Sequence, residues 1–143
     1  MIIDNYKYVN ITEITGNIEV DVNNFLLQNN RQKTLEHVVA VASTNNEIAE
    51  KYSLDKNICT ISSYLHDISA VICPNDMLNY MIENNLFIDE AERKYPFLLH
   101  QRVSKFISKT FFKIDDEIIL SAIECHTTLK YKPAQYDMAL YCK

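Results

Sequence analysis

Residues 55–72 read DKNICTISSYLHDISAVI. Asp55 is a helix-capping residue type, and Ile58, Ile61, Tyr64 and Leu65 follow it at helical spacing. The stretch therefore predicts a capped amphipathic helix that ends near Asp67. Beyond it the apolar run Ile68, Ala70, Val71 and Ile72 would pack that helix end in the interior. His66 and Asp67, adjacent at this end, can turn toward one centre only if the backbone leaves regular helix between them.

Outward from this helix the same period recurs. Phe25 and Leu26, then Leu35, Val38, Val39 and Ala42, then Ile48, Ala49 and Tyr52 mark helical faces from Val20 onward. Pro74 interrupts, and short helices are predicted around 77–82 and 89–94. Pro96 is expected to open a longer helix with Leu98, Leu99, Val103, Phe106 and Ile107. Asp115 starts another with Ile118, Ile119, Ala122 and Ile123 inward, and a last helix begins after Pro133. Residues 1–19 hold the β-formers Tyr6, Tyr8, Val9, Ile11 and Ile14 and read as an irregular lead-in or a short strand. The expectation is one all-α domain over 20–143, preceded by that lead-in.

Composition narrows the function classes. The 143 residues are 48% hydrophobic, enough for a packed core, and include one glycine, Gly16. A P-loop needs two glycines and a dinucleotide fingerprint three, because backbone must approach phosphate closely, so both are excluded. The net charge of −5 argues against general nucleic-acid binding, which releases counterions through a basic face. The start has no secretory pattern and no apolar run reaches the roughly 20 residues that span a bilayer. Cys59, Cys73, Cys125 and Cys142 form no C-x-x-C pair, which suits reduced thiols in a cytoplasmic protein with no membrane contact.

His37, His66, His100 and His126 lie on or at the ends of four different predicted helices. Separate helices can converge such residues at a bundle centre, where imidazole and carboxylate bind a divalent transition metal. Equally, each could be a surface or hydrogen-bonded residue. The apolar neighbours Tyr64-Leu65, Phe97-Leu98-Leu99 and Ile123 favour partial burial, and a buried imidazole needs partners.

His37, His66-Asp67, His100 and His126, in that order, resemble the HD superfamily of metal-dependent phosphohydrolases. Arg31, the strings Leu65-His66-Asp67-Ile68 and Leu99-His100-Gln101, and Cys125-His126-Thr127-Thr128-Leu129-Lys130 are similar to the symmetrical bis(5'-nucleosyl)-tetraphosphatases of the YqeK type. The resemblance runs from about residue 30 to the end and implies an HD-domain helical bundle. It assigns one metal to His37, His66 and Asp67, and a second, bridged by Asp67, to His100 and His126. Asp67 and His66 would be catalytic. The cofactor implied is a dinuclear iron centre, with manganese also compatible, and the substrate resembles diadenosine tetraphosphate, split into two ADP.

Polyphosphate would also need cations and hydrogen-bond donors from the protein. Lys130, Thr127, Thr128 and Arg31 are the substrate-binding candidates, with Lys132 and Arg102 weaker ones. The threonines could instead end their helix through side-chain to backbone bonds. Lys105, Lys109 and Lys113 recur every four residues but read better as a solvated helix face. Cys125 points away from His126 on any helix and suits packing, and Asp115, Asp116 and Glu117 suit a helix start. Tyr64 and Tyr95 could stack on a base, though tyrosines of this kind are more often core or boundary residues.

Two departures from the family matter. Its final metal-ligating Asp would fall immediately after Lys143, which makes the sequence incomplete at its C-terminal end relative to the family and implies lower occupancy of the first metal site. Ser69-Ala70-Val71 also lacks the basic residue that the better-known branch carries there. These keep open a second reading, a catalytically weak or inactive nucleotide-binding and metal-binding module, and a third, a helical interaction domain with structural histidines. Uncovered Met138, Leu140 and Tyr141 on the last helix would favour a homo-oligomer.

Overall fold

A computed structural model describes residues 9–142; the lead-in residues Tyr6 and Tyr8 fall outside them. The helices are α1 (Ile18–Gln28), α2 (Gln32–Tyr52), α3 (Lys56–Leu65), α4 (Pro74–Glu83), α5 (Glu90–Lys94), α6 (His100–Thr110), α7 (Glu117–Glu124) and α8 (Gln135–Tyr141). Two 3-10 turns, Ile68–Val71 and Pro96–Leu99, interrupt them, and the described residues contain no strand. The fold is all-α, as the periodicity predicts.

Capping chemistry sets the boundaries. Asn17 accepts from the Glu19 and Val20 amides and starts α1 two residues before Val20, while Asp55 caps α3 through Asn57 and Ile58. Asp116, not Asp115, caps α7 through the Ile118 amide. Pro74 opens α4 as its first residue, a position where a missing N–H costs nothing. The segment after Pro96 differs from expectation: it is a 3-10 turn, and the α-helix begins only at His100. This turn brings the Phe97 carbonyl to the His100 ring.

A protein with one glycine still has to turn sharply. Helices α1, α2 and α4 each end in the same way, with Asn30, Ser53 and Asn85 at positive φ. The amides of Arg31, Leu54 and Leu86 then donate back to Leu26, Ala49 and Met81 carbonyls at 2.8, 2.8 and 2.9 Å. This is the bonding that usually recruits glycine; here asparagine and serine bear the left-handed strain. Gly16, at φ 90°, sits where the lead-in wraps around the buried Asp21 carboxylate, which accepts from the Thr15 and Gly16 amides and the Thr15 hydroxyl.

The long helix α2 packs mainly on α3, with α1 against both; α7 lies between α3, α6 and α8. One core runs through Phe25, Leu26, Val38, Leu65, Ile68, Leu99, Val103, Ile107 and Ile123, and Val9 of the lead-in is buried in it. Phe25 meets Phe111 and Phe112 at ring-centroid distances of 5.3 and 5.6 Å. On α8 the uncovered surface is smaller than expected: Leu140 is fully buried against Val41 and Ala122, leaving Met138 and Tyr141 half exposed. Packing of α8 across α2 and α7 supplies that cover. No described helix is long and apolar enough to cross a membrane.

Urea denaturation should show Ser53→Gly raising stability by about 1 kcal/mol, the relief of one left-handed residue. Phe25→Ala should lower it by about 3–5 kcal/mol through the cavity it leaves.

Candidate metal centre

His66 is the C-terminal cap of α3, still helical in φ and ψ, while Asp67 moves to φ −111° and ψ 20°. That single departure turns two adjacent side chains toward one point. The backbone then drops into the turn Ile68–Val71, whose Ile68 and Val71 are buried. His37 reaches the same point from α2, His100 from the first residue of α6, and His126 from just beyond α7.

The carboxylate of Asp67 divides the cluster. Its Oδ2 lies 3.2 Å from Nε2 of both His37 and His66, which are 3.2 Å apart. Its Oδ1 lies 3.3 Å from Nε2 of His126 and 3.8 Å from that of His100, which are 3.0 Å apart. Two sets of three donor atoms, His37-His66-Asp67 and Asp67-His100-His126, thus share one carboxylate through different oxygens, and each set could hold a metal ion.

Three imidazoles are locked by one local device. Nδ1 of His66, His100 and His126 lies 2.7, 2.6 and 2.7 Å from the carbonyls of Ser63, Phe97 and Ile123, each three residues earlier. A carbonyl only accepts, so each Nδ1 carries a proton, and the neutral tautomer this selects presents its lone pair at Nε2. The Nε2 lone pairs of His100 and His126, 3.0 Å apart, repel unless a cation lies between them. Protonation is a poor source of that cation at the second set, because burial pushes the His100 and His126 pKa values down. Burial alone would raise the Asp67 carboxyl, but the imidazoles of His126 and His66 beside it outweigh burial and hold its pKa well below the usual carboxylate range. The donors therefore fit divalent transition metals, for which nitrogen and carboxylate oxygen are suitable partners.

Access is one-sided. His66 is fully buried and His126 nearly so, whereas the His37 side chain is 47% exposed. A cleft of about 520 Å³ opens over His37, Asp67 and His100, flanked by Arg31, Lys33 and Phe97. Behind the centre, Ser69 donates to the His100 carbonyl at 2.8 Å and accepts from Ser104 at 2.9 Å. This buried pair ties the turn after Asp67 to α6 and so fixes one donor set relative to the other.

A model of the HD domain family matches residues 34–141, a span that takes in all four histidines and Asp67. The chain belongs to the HD domain family. It is 31% identical over 116 residues to an uncharacterized protein in the pepC 5' region of Lactococcus lactis subsp. cremoris. It is 27% identical over 111 residues to a probable nicotinate-nucleotide adenylyltransferase/Ap4A hydrolase of Mycoplasma genitalium. These matches cover 81% and 76% of this chain but 58% and 30% of the relatives. Among solved structures, a predicted HD superfamily hydrolase involved in NAD metabolism from Clostridium acetobutylicum superposes with a TM-score of 0.78 at 23% identity. That match covers 84% of this chain and 64% of the other.

Other expected site residues fall in different places. Arg31 lies in the cleft, its Nε donating to the Ala70 carbonyl at 2.7 Å. Thr127 Oγ1 is 3.1 Å from His100 Nε2, and the Thr127 and Thr128 amides both donate to Gln101 Oε1. Lys130 does not line the cleft: it bonds Ser121 and pairs at 3.0 Å with buried Asp137. Lys132 lies over the Tyr131 ring, and Arg102 pairs with Glu92. Asp137, the acidic residue of α8, accepts from Ser121 and from the Ala134 amide and stands outside both donor sets.

The lysine row on α6 is a solvated face, Lys105 pairing with Glu124 and Lys109 with Glu117. Cys125 is buried with its thiol donating to the Ser121 carbonyl, and burial pushes its pKa up, so it suits packing. Sequence reasoning assigned no role to Gln101, Phe97, Ser69 or Lys33. Only the position of Gln101 and Phe97 beside His100 hinted at one.

Metal analysis after equilibration with manganese should show both sites emptied by Asp67→Ala, with His126→Ala sparing the His37-His66 set. Loss of a direct donor should weaken binding by more than the roughly tenfold to hundredfold seen for outer partners. In metal-free protein, depressed His100 and His126 pKa values mean the unfolded state takes up protons first. Stability should therefore fall as pH drops below the ordinary histidine value of 6.5, read by thermal melts across pH.

Proposed function

We propose that the protein is a metal-dependent phosphohydrolase acting on a nucleotide phosphoanhydride, with diadenosine tetraphosphate as its substrate and two ADP as products. The observation that carries this reading is the Asp67 carboxylate shared, oxygen by oxygen, between two three-donor sets at the foot of an open cleft. Iron is the proposed metal and manganese a compatible one. The name of the Mycoplasma genitalium relative, which includes Ap4A hydrolase, supports the substrate class.

Bound metals would supply Lewis acidity toward phosphate oxygens and lower the pKa of a water. The protein's own residues do the rest. Three protein donors per set leave positions for water and phosphate. The carbonyl-locked rings of His66, His100 and His126 keep their lone pairs aimed inward without rearrangement. Asp67, held ionised, stays an electron donor and does not serve as a proton carrier. Arg31, with its Nε fixed on Ala70, presents the outer edge of its guanidinium to a phosphate entering the cleft. In the net reaction water's oxygen bonds one of the two central phosphorus atoms, the bridging oxygen leaves with the other, and the two protons of water are shared between the products and solvent.

A second reading, a weakly active or inactive binding module, rests on Asp137. The buried carboxylate of α8 is spent on Lys130, Ser121 and Ala134, so the described residues offer each site three donors and no fourth carboxylate.

Incubation of diadenosine tetraphosphate with anaerobically purified protein, loaded with iron or manganese, should give ADP as the sole nucleotide product. Asp67→Ala and His66→Ala should lose turnover, and Arg31→Ala should raise KM more than it lowers kcat. Full activity in either of the first two variants would overturn the assignment; stoichiometric metal and nucleotide binding without turnover would select the second reading.

A further inference from the structure

Among the described residues, Phe97 supplies the one phenyl ring that lines the cleft beside both donor sets. It belongs to the 3-10 turn Pro96–Leu99 and stacks on His100, with centroids 4.5 Å apart and planes at 23°. Its carbonyl accepts from Nδ1 of the same histidine, so ring and backbone are fixed to one partner. Yet the residue remains 61% exposed, because only one of its faces is used.

Exposure alone would not single it out, since Phe87 and Tyr131 are exposed further, at 75% and 88%, but neither lines the cleft. Position decides. The cleft is lined by the cations of Arg31 and Lys33 as well as by the open face of Phe97. A ligand that satisfies both carries phosphates and a planar aromatic ring in one molecule. The cleft volume of about 520 Å³ lies within the range of small-molecule sites.

We propose that Phe97 is the nucleobase platform of this site: its free face stacks on the base of a nucleoside phosphate whose phosphates lie over Asp67 and His37. This rests on the phosphohydrolase reading above and adds the nucleoside end of the substrate. Stacking tolerates any base, because every base has a π-face, so the platform selects nucleotides over inorganic polyphosphate without choosing among bases. Recognition of the particular base would have to come from elsewhere.

The sequence has no tryptophan, so Phe97→Trp places a single reporter in the proposed contact. In the manganese-loaded variant, ADP should quench that emission saturably, while inorganic diphosphate should bind, by calorimetry, with little change in emission. In the companion variant Phe97→Leu, ADP should bind about tenfold or more weakly, the scale of one lost base stack, with diphosphate affinity retained. Equal quenching by the two ligands, or ADP binding without quenching, would overturn the platform. So would parallel weakening of ADP, diphosphate and manganese in Phe97→Leu, which would show that the ring serves only to hold His100. If neither ligand binds the wild-type protein, the phosphohydrolase reading itself fails and the platform with it.

Discussion

Everything in this molecule is arranged around one carboxylate facing two pairs of imidazole nitrogens. Each oxygen of Asp67 meets a different pair, and within each pair the nitrogens approach to 3.0–3.2 Å. At the His100–His126 pair, crowding of lone pairs beside that negative charge opposes folding unless a cation fills it, so the rest of the protein must hold these donors in place against their mutual repulsion. The long helix α2 brings His37, and the termini of α3, α6 and α7 bring the others. Burial of Ile68 and Val71 then pins the turn that aims Asp67.

The means of holding are local and repeated. His66, His100 and His126 each donate Nδ1–H to a backbone carbonyl three residues back. That bond selects the tautomer and fixes the ring, so no separate framework of acidic partners is needed. Beneath them, buried Ser69 and Ser104 join the turn after Asp67 to α6. His37 is the exception, carried mid-helix and exposed, and it marks the side from which a substrate would enter.

Charge is compartmentalised in the same way. Lys130 and Asp137 neutralise each other between α7 and α8, and Lys105 and Lys109 of α6 pair with glutamates of α7. Among the described residues, the cations that line the cleft are Arg31 and Lys33. A protein with net charge −5 can thus present a local anion-seeking face at a site whose own donors are imidazoles and one carboxylate.

The all-α fold is legible in the sequence because helical period and capping are local: Asp55 and the spacing from Ile58 to Leu65 define α3 without reference to anything distant. The His66-Asp67 pair and the other histidines are legible as candidates for the same reason, being chemistry-bearing residues on or at the ends of helices. Local signals fail where competing partners lie far apart in sequence. Nothing near Leu140 in the sequence reveals the cover that Val41 and Ala122 provide, and the Lys130–Asp137 pair forms only because the loop after α7 folds back before α8. Gln101 enters the sequence reading only as part of the Leu99-His100-Gln101 string and Phe97 only as an apolar neighbour, since the importance of both comes from what surrounds His100. By itself, then, the amino-acid order determined the helices, through interactions spanning a few residues, and offered the four histidines and Asp67 as candidate donors. Which oxygen of Asp67 faces which pair, which cations face the cleft and where it opens were decided only by tertiary packing, because each depends on contacts between segments tens of residues apart.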